Sequence, residues 1–213
     1  MDQQQPVIAA EHRMPLHILL ICAGIFGAIL FNIVYFSLGS LTPNYDEMRL
    51  PIGRLELVQH GWIQSANFML MALSSVVFAT GLRKELAGGF GAISLPLSYM
   101  VTALGFFLMG LLIHEPVHTF VSFFTFFSII ANFLLFARRF YGDPRWEDWA
   151  AFTIICVVLM LVIMGIFWYS RDEDGAYAGL FERMLEITRL TWFVVFMLRL
   201  FDGRRLAIGP SVS

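Results

Sequence analysis

The stretch GLFERMLEITRLTWFVVFMLRLF, residues 179–201, decides the fold. Its apolar part, Leu190 to Leu198, is too short to cross a bilayer, because roughly 30 Å of hydrocarbon needs about 20 residues at about 1.5 Å each. To span, the segment must recruit residues from about Gly179 onward, and with them Glu182, Arg183, Glu186 and Arg189. At about 100° per residue Glu182, Glu186 and Arg189 share one stripe. A charge facing lipid at a helix centre costs roughly 2.5 to 3.5 kcal/mol on insertion scales, so the stripe is expected to face protein. Two arrangements satisfy it: an i,i+3 pair between Glu186 and Arg189 that pins the helix end, or a polar pocket in the outer half of a bundle.

Upstream, apolar runs of membrane length recur at about 17–38, 61–82, 92–113, 117–137 and 149–169. The 213 residues are 58% hydrophobic and 14% charged, with a mean hydropathy of +0.73, which is too apolar for a water-soluble domain of this size. A helix satisfies its own backbone hydrogen bonds in lipid, and the runs lack the alternation of a barrel strand. The expected class is therefore all-α, a polytopic membrane bundle of six transmembrane helices over 17–201, flanked by short tails at 1–16 and 202–213. The first run is preceded by Asp2, Glu11 and Arg13 rather than a basic leader, so it is expected to be retained. Cys22 and Cys156 fall within spans, where no disulfide framework is expected.

Lys and Arg orient the bundle. One side holds Arg13, Arg83, Lys84, Arg138, Arg139, Arg145, Arg204 and Arg205, and the other holds Arg49, Arg54 and Arg171. The excess of positive charge predicts a plasma (inner) membrane protein with both termini cytoplasmic and the long loop Ser40 to His60 outside. Arg138 and Arg139 are expected to anchor a helix end at lipid headgroups, and Trp146 and Trp149 to join an interfacial belt. Gly88-Gly89 and Gly142-Asp143-Pro144 punctuate cytoplasmic turns. Small residues at Gly24 and Ala28, and at Ser98, Thr102 and Gly105, allow close helix approach. Phe120, Phe123, Phe124, Phe126, Phe127, Phe133 and Phe136 surround their helix, as core plus lipid contact would require.

Between the third and fourth runs, His114-Glu115-Pro116-Val117-His118 spells H-E-x-x-H. In a zinc peptidase this motif lies inside one continuous helix, with two ligating histidines and a glutamate polarising the metal-bound water. Pro116 forbids that helix from extending upstream, because it lacks a donor, clashes with the preceding turn and disfavours helical geometry at Glu115. Proline is tolerated in a first turn. Glu115 is thus expected near the N-cap of the fourth span, Pro116 at its first position and His118 in the opening turn. By topology this turn, the end of the outer loop at His60 and the start of the sixth span all open on one face. His60, His114, His118 and Glu182, with Glu115 nearby, are expected to share it.

Tyr45-Asp46, Arg49-Leu50-Pro51-Ile52, Leu55, Gly61-Trp62-Ile63-Gln64, Asn67-Phe68 and Gly81-Leu82 resemble the first conserved block of domain of unknown function family 998. Gly179-Leu180-Phe181-Glu182-Arg183, with Trp192 and Arg199-Leu200, is similar to its closing block. His114 and His118, followed by Phe123 or Phe124, are similar to the H-x-x-x-H that opens its fourth span. The resemblance implies a six-span prokaryotic membrane protein and no known activity. Two departures stand out: Gly53 replaces a serine common in that family, and its Phe-Pro-x-Asp segment after the third span is missing.

The leading functional reading is a non-enzymatic membrane protein that binds a small molecule or lipid headgroup in an outer polar pocket. Its candidate ligand-binding residues are Glu182, Arg183, Glu186, Arg189, His60 and Glu115. The alternative is a metal-dependent hydrolase, with zinc held by His60, His114 and His118 and water activated by Glu182 or Glu115. A transporter ranks third, because ionisable groups concentrate in the outer half and Asn32, Asn67 and Asn132 are explained by hydrogen bonding between helices. Glycine-rich phosphate loops, Cys-x-x-Cys sets and an exposed basic face are absent, so nucleotide, dithiol and nucleic-acid partners are not expected.

Overall fold

The computed structural model describes residues 14–86, 88–114, 116–144, 146–172 and 177–201. Within them are six long helices: α1 (Leu16–Leu41), α2 (Trp62–Glu85), α3 (Ser94–Leu111), α4 (Val117–Phe140), α5 (Glu147–Asp172) and α6 (Ala178–Phe201). A 3-10 turn covers Ile52–Leu57, and no strand occurs among the described residues. Helices α1 to α5 are each long and apolar enough to cross a membrane, which marks the chain as an integral, multi-pass membrane protein. Both tails expected at 1–16 and 202–213 fall largely outside the described residues.

Each helix packs on its neighbour in sequence, and α6 closes back on α1. Small residues make those approaches possible. A Cβ on Gly24 would lie 2.5 Å from Phe78 Cβ of α2, and one on Gly105 would lie 2.2 Å from Thr125 Oγ1 of α4. Hydrogen bonds tie the same seams: Asn67 Nδ2 donates to the Phe31 carbonyl at 3.0 Å, and Asn132 Nδ2 to Thr102 Oγ1 at 2.9 Å. Asn32 bonds within its own helix, donating to the Ala28 carbonyl and accepting from Tyr35. Around α4, Phe126, Phe133 and Phe136 are buried, whereas Phe120, Phe124 and Phe127 are exposed, which matches core plus lipid contact.

Helix α6 inverts the usual membrane pattern by turning its charges inward. Glu182, Arg183, Glu186 and Arg189 are all buried, and exposure is confined to Met184, Ile187, Thr191, Leu198 and Phe201. Further along, Trp192 stacks on Phe133 of α4 and donates from Nε1 to Thr153 Oγ1 of α5 at 3.0 Å. The helix is thus held by all its neighbours through one polar and one aromatic layer.

Two expectations at the opposite end of the bundle are corrected. Trp146 and Trp149 form no belt, since both are fully buried and packed against Phe140, Trp192 and Phe196. Arg139 does not face headgroups either. It is buried and donates to the carbonyls of Gly88 and Phe90, so it pins the α2–α3 turn. Gly88, Gly89, Gly91 and Gly142 have positive φ, the backbone geometry those two turns require.

Loop 42–61 folds back onto the bundle. Pro43 and Asn44 form a turn closed by Tyr45 N–H to the Thr42 carbonyl, with Asn44 at φ 61°. Asp46 Oδ1 then accepts from the Met48 and Arg49 amides, which shapes the next turn. Ile52, Leu55 and Glu56 share one face of the 3-10 turn and are buried.

Candidate functional site

The loop caps α6, and this junction builds the site. The first amides of a helix lack internal partners. Here Gly179 and Leu180 donate to the Arg49 and Met48 carbonyls at 3.3 and 2.9 Å. Such closeness needs a glycine, because a Cβ on Gly179 would lie 2.4 Å from both the Glu47 and Leu50 carbonyl oxygens. Arg183 locks the junction by donating to the carbonyls of Glu47 (2.7 Å), Leu50 (3.2 Å) and Gly179 (3.0 Å), and to Tyr45 Oη (3.2 Å). Tyr45 Oη also reaches the Leu50 and Pro51 carbonyls, and burial pushes its phenol up to about 12, the Arg183 contact opposing the shift. Arg183 is thus committed to holding the loop.

Glu186 and Arg189 form the i,i+3 pair, with Arg189 Nε donating to Glu186 Oε2 at 2.9 Å. The guanidinium sits 5.2 to 5.9 Å from the ring centres of Phe31, Phe106 and Phe193, an aromatic enclosure that compensates its lost hydration. Glu182 lies one turn nearer the loop, and its Oε2 accepts from the Ile52 amide at 2.5 Å. Between Glu182 and Glu186 remains a cleft of only about 10 Å³. It holds a single water at most.

Beside this junction opens a cavity of about 520 Å³. The loop supplies Asp46, Arg49, Pro51, Gly53 and Arg54; α4 supplies His118, Thr119, Ser122, Phe123 and Phe126; Phe167 of α5 and Ala178 and Glu182 of α6 complete the wall. The lining combines charged and aromatic side chains. His118 enters it from the second residue of α4, two residues after Pro116, so proline precedes the helix where it was expected inside the first turn.

Behind His118 lies a residue that sequence reasoning missed. Glu56 is buried, accepts from Ser65 Oγ at 2.8 Å and places Oε2 3.3 Å from His118 Nδ1. That nitrogen is also 3.2 Å from the Leu112 carbonyl, and Oε2 has no hydrogen-bond donor among the described residues. Burial pushes the Glu56 carboxyl up to about 7, against the lowering effect of Ser65. The other imidazole edge rests on Gly53, where a Cβ would lie 2.4 Å from His118 Nε2.

Of the residues expected to share this face, His118 and Glu182 line the cavity together. His60 and His114 are exposed and lie outside its lining, and Glu115 falls outside the described residues. Among the described residues, no three of His, Cys, Asp and Glu come close enough to hold a metal ion. The sequence marks Arg49 and Arg54 by their loop position, and Arg49 also by the block Arg49-Leu50-Pro51-Ile52, but assigns neither to the site. Their signal was available: Ile52, Leu55 and Glu56 recur at helical spacing, which points to a folded loop.

Neither the curated proteins nor the solved structures contain a match to this chain. A family model does match, over residues 25–199, a range that takes in α2 to α5 whole, most of α1 and α6, the folded loop and the cavity walls. The chain belongs to the family of proteins of unknown function DUF998.

Proposed function

We propose that this is a membrane protein of the plasma membrane that binds a polar small molecule or a lipid headgroup in the cavity between loop 42–61 and helices α4 and α6. The observation that carries the reading is the mixed lining, which brings Arg49, Arg54, His118 and Glu182 into one cavity with Phe123, Phe126 and Phe167. A volume of about 520 Å³ falls in the range of small-molecule sites, roughly 300 to 1,000 Å³. We further read α6 as a sixth crossing. Its 24 residues are about 36 Å long, and its interior charges point at protein rather than lipid. Six crossings put both termini on one side, and the Lys and Arg bias assigns that side to the cytoplasm and the cavity to the outer face.

The test is ligand-dependent stabilisation of purified protein across lipid and metabolite panels, read by thermal unfolding and native mass spectrometry. Ser122→Trp fills the cavity from its α4 wall. A ligand that stabilises the parent chain and fails on this variant supports the reading. A complete panel with no stabilising ligand overturns it.

A further inference from the structure

We infer that the cavity selects an oxyanion, the phosphate or carboxylate headgroup of an amphiphile, through Arg49. This rests on reading the cavity as a binding site and adds the chemistry of what enters it. Four groups in the lining carry formal charge: Asp46 and Glu182 against Arg49 and Arg54. Their side chains are not equally available.

Asp46 Oδ1 already accepts two backbone amides, from Met48 and Arg49, and Glu182 Oε2 accepts the Ile52 amide. Both carboxylates therefore serve the fold of the loop. The Arg49 guanidinium, by contrast, makes no hydrogen bond or ion pair with any described residue, and it is exposed at the cavity wall. A cationic ligand would meet carboxylates already engaged by backbone donors. An anion meets a planar five-donor fork with nothing to displace.

The remaining wall narrows the class further. Leu57, Ile113, Phe123, Phe126 and Phe167 also line the cavity, and a fully hydrated inorganic ion leaves such a surface unused. A headgroup attached to a hydrocarbon chain uses both kinds of lining. Arginine pairs with phosphate and carboxylate through two parallel charge-assisted bonds, which gives the discrimination a geometric as well as an electrostatic basis.

The experiment uses the full chain in detergent and measures binding of dioleoyl phosphatidic acid, oleate, inorganic phosphate and dioleoylglycerol to the parent protein and to Arg49→Gln and Arg49→Lys. The expected result is saturable binding of phosphatidic acid or oleate, weakened about tenfold or more in Arg49→Gln and less in Arg49→Lys, with dioleoylglycerol unable to compete. Binding of inorganic phosphate with the same Arg49 dependence also supports oxyanion selection and assigns the source as a soluble anion. If dioleoylglycerol binds as tightly as phosphatidic acid and Arg49→Gln changes nothing, oxyanion selection is wrong while the binding site stands. If no probe binds, and the wider panel is silent too, both readings fall together.

Discussion

His118 Nδ1 lies 3.3 Å from Glu56 Oε2, joining the first turn of α4 to loop 42–61 beneath the cavity. Burial raises the Glu56 carboxyl to about 7, well above its ordinary value of 4.5. The folded protein therefore holds this proton more tightly than the unfolded chain does. Its stabilising contribution is complete below about pH 4.5 and is lost as pH rises through about 7. Thermal unfolding in detergent between those limits should show stability falling with pH, by an amount on the order of 1 to 3 kcal/mol. Glu56→Gln, which is neutral throughout, should remove that slope. A slope unchanged in the variant would assign the effect to another group.

Gly53 sets the position of the same imidazole. Alanine there puts a Cβ 2.4 Å from His118 Nε2, so either the ring or the 3-10 turn has to move. Gly53→Ala is expected to destabilise by about 1 to 3 kcal/mol, the usual range for overpacking. In a His118→Ala background the clash partner is gone, and the same substitution should cost little. A double-mutant cycle in unfolding free energy measures the coupling, and additive effects would refute the proposed clash.

How far the sequence discloses this arrangement depends on whether a residue's role is local. The inward stripe of α6 follows from helical periodicity and the cost of charge in lipid, and the approaches at Gly24 and Gly105 follow from side-chain size. Arg139, Trp146 and Trp149 misled because helix-end composition is the same whether a side chain points at headgroups or at the next turn. Which way it points is set by the packing of α3, α5 and α6. Glu56 was the hardest to see, since its partner His118 comes from a different helix and only a tertiary fold brings them together. A loop acid carries no mark of burial until the Ile52 and Leu55 face is seen to dock.

Arg183 clamps three carbonyls and Tyr45 at once, and removing it takes a donor from acceptors that are buried or part-buried. Arg183→Ala should destabilise by roughly 3 kcal/mol or more. It should also expose the 42–51 segment to limited proteolysis in detergent. Arg183→Lys should rescue little, because one ammonium cannot reproduce the planar fork. Full rescue by lysine would mean that charge alone holds the loop.

The Glu186–Arg189 pair makes a sharper prediction about α6. Both side chains are buried, so deleting one leaves an uncompensated charge: Glu186→Ala is expected to cost about 3 to 5 kcal/mol. Replacing both, as Glu186→Leu with Arg189→Met, removes the charge problem and keeps the volume close. That double variant should lie within a few kcal/mol of the parent and above the single one. Detergent unfolding of the three chains decides it, and a double variant less stable than Glu186→Ala would show that the pair is worth more than its desolvation penalty.

Topology offers a test that does not depend on the cavity. If α6 crosses the bilayer, the number of crossings is even and the two ends of the chain lie together. Epitope tags at the N- and C-termini should then be protected on the same side of intact cells. A single cysteine at Arg49, in a background lacking Cys22 and Cys156, should react with an impermeant thiol reagent added from outside. Tags on opposite sides would leave five crossings, with α6 lying along one face and its charged stripe packed against the bundle without traversing it. The distribution of Arg and Lys argues for the first outcome, since eight of these residues fall on the terminal side and three on the loop side.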